Sequence, residues 1–176
     1  MAAANQIYDA LINDHRLLLS LLVRMASRQN GEDYSLDELF DEFEIEFYSH
    51  LRAEEKILYD TLKEIPSTED LAMEAYEEHH AIEHAWQELK AAPSEDRRWR
   101  TKFEVFRENL ESHIEEEEGE LFLEARGLIT DEEAKMLATA FECLKQDLMD
   151  GVAPKPALSK AGNLMPTRFA KRFGEI

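Results

Sequence analysis

Two stretches of this chain repeat the same groups able to hold a metal ion. HLRAEEKILYD begins at His50 and HIEEEEGELFL at His113, so His50 and Glu54 return 63 residues later as His113 and Glu117. An aliphatic residue follows each histidine (Leu51, Ile114) and a second acid follows each glutamate (Glu55, Glu118). The match continues into Leu58-Tyr59 and Leu121-Phe122. A histidine and a carboxylate four residues apart share one face of a helix. Imidazole with carboxylate is a donor set for iron, zinc, manganese or copper. The repeat points to one unit used twice.

Five helices are needed to position these groups. The first runs from about Asn5 to Ser27 with Ile7, Leu11, His15, Leu18, Leu22 and Met25 on one stripe, and Gly31 closes it. The second opens at Ser35, with Glu38 completing a capping box, and runs to about Glu64; its stripe is Leu36, Phe40, Phe43, Phe47, His50, Glu54, Leu58 and Leu62. The third starts near Ser67, carries Met73, Tyr76, His80 and His84, and stops before Pro93. The fourth, from about Ser94 to Ala125, carries Trp99, Phe103, Phe106, Leu110, His113, Glu117 and Leu121. After a break at Gly127, Thr130 with Glu133 caps a fifth helix to about Met149, with Leu137, Ala140, Leu144 and Leu148 on one side. Strand signals are nearly absent and connections are short, which predicts an all-α fold. Its form is an up-down-up-down four-helix bundle over 1–127, with an added C-terminal helix over 128–151 packed outside. The tail, residues 152–176, has three prolines and is expected to be extended, with a short helical turn bringing Phe169 and Phe173 together.

In that bundle His50, Glu54, His113 and Glu117 fall inside the apolar seam. Helices two and four run parallel, so the repeat becomes a pseudo-twofold site. A buried carboxylate requires hydrogen bonds, a cation or a metal, and Lys and Arg are missing from the neighbouring seam positions. His15 interrupts the first stripe, and His80 and His84 share a face of the third helix. Five histidines and two carboxylates overfill one ion with an open position and suit two ions bridged by the carboxylates.

For any single histidine a satisfied core residue is the default reading; five at stripe positions on four helices favour metal. His79, off the His80/His84 face, is expected at the surface or as a supporting hydrogen-bond donor. Glu115 and Glu116 belong to a solvated face, Tyr59 and Phe122 by default to the core, with a redox or hydrogen-bonding role near the site as the alternative for Tyr59, and Cys143 is an inert buried thiol. A ferritin-like site would need two Glu-x-x-His pairs, and only Glu77-x-x-His80 has that spacing.

Together the Asp14-His15 pair, the HxxxEE of His50 to Glu55, the HHxxxH of His79 to His84, and the HxxxEE of His113 to Glu118 followed by Leu121-Phe122 resemble the hemerythrin-like, or HHE cation-binding, family over roughly Ile7 to Ala125. The resemblance implies a non-haem di-iron centre. His80, His84 and His113 would ligate one iron and His15 and His50 the other, with Glu54, Glu117 and an oxo or hydroxo group as bridges. In the oxygen-carrying members the last bridge is an aspartate five residues after its histidine. Here Glu117 stands at four and Glu118 at five, and the internal repeat favours Glu117. The departure places the chain with the broader bacterial-type group.

The chain carries a net charge of −19 over 176 residues. Residues 1–151 hold 15 Lys+Arg against 38 Asp+Glu, while the tail is basic, with Lys155, Lys160, Arg168, Lys171 and Arg172 against Glu175. Such a body repels phosphate backbones and anionic lipid, so neither nucleic acid nor membrane is an expected partner. The tail is placed to lie on it. A single cysteine excludes disulfide frameworks and thiolate clusters. The N-terminal stretch lacks the features of a signal peptide, and no apolar run approaches a membrane span, so the expected setting is cytoplasmic, as a monomer or weak homo-oligomer. No phosphate loop or nucleophile elbow is visible and no catalytic residue is expected beyond the metal centre. The expected small molecules are O2, H2O2 or NO. Three activities are compatible: catalase-like peroxide decomposition or related redox protection, which the glutamate bridge and the absence of an attached signalling domain favour; reversible O2 binding or sensing; and iron storage.

Overall fold

The computed structural model describes residues 6–27, 35–93 and 97–170. Among these there is no strand. The helices are α1 (Ile7–Ser27), α2 (Leu36–Glu54), α3 (Asp60–Leu62), α4 (Glu69–Lys90), α5 (Arg97–Glu116), α6 (Phe122–Leu128), α7 (Asp131–Met149) and α8 (Pro154–Gly162). Two π-helical turns, Glu55–Tyr59 and Glu117–Leu121, join α2 to α3 and α5 to α6, so four long rods result. The expected stop at Gly31, start at Ser94 and aromatic pair of Phe169 with Phe173 involve positions outside the described residues.

The sequence signals act as expected at two helix starts. Ser35 and Thr130 each accept a hydrogen bond from the backbone N–H three residues on, and Glu38 and Glu133 reach back to the cap backbone. The third rod starts at Thr68, one residue past Ser67, and the fourth runs on through Gly127 to Leu128. Side-chain pairs fix the direction of each rod. Arg24–Glu42 and Asp14–His50 set α1 antiparallel to α2; Lys90–Glu44 and Arg52–Glu83 do so for α2 and α4; Lys102–Glu88 and Glu78–His113 do so for α4 and α5. His15–Glu118 and Gln6–Arg126 close the ring between α1 and the fourth rod. This is the up-down-up-down bundle, with α7 packed against α1 and α2 as the added helix.

Two apolar clusters fill the interior. One contains Leu11, Leu58, Leu62, Phe122, Leu137 and Phe141; the other is aromatic, with Phe43, Phe47, Trp86, Phe103 and Phe106. The site residues lie near the level where one cluster gives way to the other: His15 stands between Leu11 and Leu18, His79 between Ala75 and Ile82, and Glu117 between Ile114 and Leu121. The tail differs from the extended form expected. Pro154 sits in the first turn of α8, where its missing N–H costs nothing. Ala157, Ala161, Met165 and Phe169 are buried against the body. Lys160 pairs with Asp147 at 2.7 Å and Arg168 with Glu133 at 3.6 Å, so the described part of the tail, through residue 170, lies on the acidic body. Cys143 is half-buried.

Candidate metal centre

Four histidines, one from each rod, meet at the centre of the bundle: His15, His50, His79 and His113, none more than 4% exposed. Their rings pack edge to face in two pairs, His15 with His50 at 5.0 Å and His79 with His113 at 4.8 Å. Each ring directs Nδ1 outward to a carboxylate. His15 meets Glu118 at 2.8 Å, His50 meets Asp14 at 3.2 Å, His79 meets Glu55 at 3.2 Å and His113 meets Glu78 at 2.7 Å. A carboxylate only accepts, so each Nδ1 carries the proton and donates it. That leaves all four Nε2 atoms facing inward. Carboxylate, imidazole and open Nε2 in series is the arrangement that orients metal-binding histidines.

Between the two pairs stand Glu54 and Glu117, both fully buried. Glu54 Oε2 lies 3.3 Å from His50 Nε2 and 3.5 Å from His79 Nε2. Glu117 Oε2 lies 3.3 Å from His15 Nε2 and 3.9 Å from His113 Nε2. Each carboxylate therefore reaches both histidine pairs. His15–His50–Glu54 and Glu54–His79–His113 each hold their ligand atoms within 4.8 Å of one another and share Glu54.

Protein groups leave this core electrostatically incomplete. His15 Nε2, Glu54 Oε1 and both oxygens of Glu117 are buried without a hydrogen-bond partner. Orphaned acceptors of this kind are costly, and a cation among them removes the cost. Burial depresses the His50 imidazole, but Glu54 and Asp14 outweigh it and hold its pKa up at about 10. His15 and His79 are likewise raised: burial opposes it, and Glu117 for the first and Glu54 with Glu55 for the second prevail. Burial alone would raise Glu54; His50 and His79 instead keep it well below the usual carboxylate range.

The third rod corrects the expected set. His80 and His84 are exposed, the His80 side chain to 62%, while His79 is 0% exposed and takes the inward place. Ala72, Ala75, Ile82, Trp86 and Leu89 form the buried face of α4, and His79 lies on it; Met73 is 48% exposed. The large Ile82 and Trp86 side chains set the rotation of the rod. Four histidines converge, not five. A sequence signal did exist: Asp14-His15 returns as Glu78-His79, offset by 64 residues, almost in step with the other repeat. The acid before each of these histidines holds the Nδ1 of the next rod, and the second acid of each HxxxEE holds that of His79 or His15. Glu118 thus supports His15 from the rim while Glu117 points inward. Glu115 and Glu116 are exposed as expected.

A cavity of about 40 Å³, lined in part by Glu78, His113, Glu117, Ala75 and Leu121, adjoins the centre between α4 and α5. It has room for a few waters at most. No helix of the described residues is long and apolar enough to cross a membrane.

Fold and site together define a helical bundle with an internal histidine–carboxylate centre suited to binding metal. The chain belongs to the hemerythrin HHE cation-binding domain family, which matches residues 6–125. It is also 22% identical over 142 residues to a DNA nickase of Nostoc sp. (strain PCC 7120 / SAG 25.82 / UTEX 2576), covering 81% of this chain and 40% of that protein. No solved structure matches.

Proposed function

We propose that this chain is a non-haem di-iron protein that reacts with small oxygen or nitrogen species, with peroxide decomposition as the reading favoured. The observation that carries it is the ring of four inward Nε2 atoms, each histidine fixed by its own carboxylate, around two buried glutamates that each span both pairs. His15 and His50 would hold one ion, His79 and His113 the other, with Glu54 and Glu117 shared. When bound, such a centre supplies paired one-electron steps for small oxidants. The protein's contribution is to exclude bulk water with apolar clusters on either side, fix the imidazoles, and leave beside them a cavity of about 40 Å³, a size that suits only small molecules. The nickase activity of the Nostoc protein is not carried over, because a net charge of −19 repels a phosphate backbone.

Protein loaded anaerobically with ferrous iron is expected to hold two irons per chain and to consume added peroxide. The His113→Ala variant should hold less iron and lose that activity. Peroxide consumption in the wild type no faster than in the variant would remove the enzyme reading. A visible band that forms in air and vanishes on deoxygenation would replace it with reversible O2 binding.

A further inference from the structure

We infer that Tyr59 supplies its phenol oxygen as a ligand to the metal ion held by His79 and His113, so that the two halves of the centre are chemically unlike. This rests on the metal-binding reading above. Tyr59 is 0% exposed, and its hydroxyl meets site groups: Oη lies 3.1 Å from His79 Nε2 and 3.4 Å from Glu54 Oε2. His79 Nε2 and His113 Nε2 are themselves 3.1 Å apart. Donor atoms at right angles around one ion, each about 2.1 Å from it, are separated by ~3.0 Å. The phenol oxygen therefore stands from His79 at the spacing of a neighbouring ligand. The residue one turn on from His79 along α4, Glu83, is bound to Arg52, so the added donor on this half comes from Tyr59.

The backbone explains how Tyr59 arrives there. Five residues along an α-helix lie about 140° apart, which would turn Tyr59 away from Glu54. The π-helical turn Glu55–Tyr59, closed by the Asp60 N–H on the Glu55 carbonyl, brings residues five apart to one face. The repeat supplies an internal control. The matching turn, Glu117–Leu121, brings Phe122 beside His15, with their rings stacked at 6.4 Å. The same device thus delivers a phenol to one half and a phenyl, which has no donor atom, to the other. On coordination to ferric ion the O–H bond breaks, an iron–oxygen bond forms, the proton leaves to solvent and no electron moves. An anionic oxygen donor then stabilises the ferric state of that one ion.

The test is the optical and resonance Raman spectrum of protein loaded with ferrous iron and oxidised to the ferric state, with iron content measured on the same samples. Wild type is expected to show a visible phenolate-to-iron charge-transfer band and enhanced tyrosinate ring modes. Tyr59→Phe should lose both while retaining iron and helical content. Tyr76→Phe, whose ring packs edge-on against Tyr59 at 5.3 Å, should keep both. Iron-loaded wild type without the band, or Tyr59→Phe that keeps it, overturns the ligand assignment and leaves the metal-binding reading standing. Protein that takes up no iron overturns both. Should Tyr59→Phe fail to fold, ring-deuterated tyrosine in the wild type still decides: unshifted modes overturn the assignment, and shifted modes that survive Tyr76→Phe support it.

Discussion

Lys145, on the added helix α7, should matter more to this fold than its place outside the four-rod ring suggests. Its ammonium lies 2.7 Å from Asp14 Oδ2 and 2.8 Å from Glu46 Oε2, with the Lys145 side chain 11% exposed. Lys145→Met keeps most of the aliphatic stem and removes the cation, leaving two largely buried carboxylates facing a thioether. Breaking a fully buried pair costs ~3–5 kcal/mol. The carboxylates keep 17% and 18% exposure, and Asp14 retains His50, so about 3 kcal/mol is the appropriate magnitude. In a chain of this size that lowers the thermal midpoint by roughly 6–12 °C. Differential scanning calorimetry of metal-free protein at neutral pH measures it, with Lys135→Met as the exposed-lysine control. Burial opposes ionisation of Asp14, but His50 and Lys145 keep its pKa below the usual value. The difference between wild type and variant should therefore be present above about pH 4 and close as pH falls through the depressed value. A shift under about 2 °C, or an equal shift in Lys135→Met, would refute the reasoning.

The rotation of α4 gives a second prediction. His79→Ala should reduce bound metal from two ions towards one per chain, whereas His80→Ala and His84→Ala should leave metal content unchanged; elemental analysis after loading decides, and a loss in His80→Ala would mean that α4 is rotated otherwise. Protonation of His50 gives a third. Its folded pKa of about 10 exceeds the unfolded value of ~6.5, so its stabilisation of metal-free protein is fully present below ~6.5 and lost as pH rises through about 10. Metal must displace that proton, so affinity should rise across the same window. Thermal midpoints and metal titrations from pH 6 to 10 check both, and a flat profile would contradict the assigned coupling.

Much of the bundle was legible because helical periodicity and capping boxes are local. Ser35 with Glu38 and Thr130 with Glu133 mark their helices unaided, and the HxxxEE repeat marks the residues that two of the rods turn inward, His50 with Glu54 and His113 with Glu117. The third rod is less legible because His79, His80 and His84 offer competing faces, one rich in donors and one apolar. Ile82 and Trp86 decide the rotation through burial, and a pattern of ligand types does not weigh burial. Tyr59 lies in the core, as its apolar surroundings predict; that its hydroxyl also meets His79 and Glu54 is less legible, because residues five apart share a face only through the π-helical turn. The prolines of the tail predict extended chain, yet Pro154 starts a helix, and Ala157, Ala161 and Met165 gain burial against α7 and its neighbours.

Six buried ionisable groups would weaken an ordinary core, and the placement of this cluster shows how the bundle carries it. Apolar packing is divided into two bodies, one on each side of the centre, so neither depends on the polar layer for contact. In the aromatic body Trp86 alone touches Phe40, Phe43, Phe47 and Phe106 through ring centroids 4.7–6.1 Å apart. Removing a buried aromatic of that size typically costs ~3–5 kcal/mol, comparable with the penalty for a broken buried ion pair. The outward carboxylates then perform two tasks. Asp14 and Glu55 help to hold the His50 and His79 imidazoles above their ordinary pKa, and all four carboxylates hold their ring with Nε2 inward for metal. Stability and metal affinity are consequently linked through the same four hydrogen bonds. A variant that strengthens the proton's hold on the histidines should stabilise the empty bundle and weaken the loaded one.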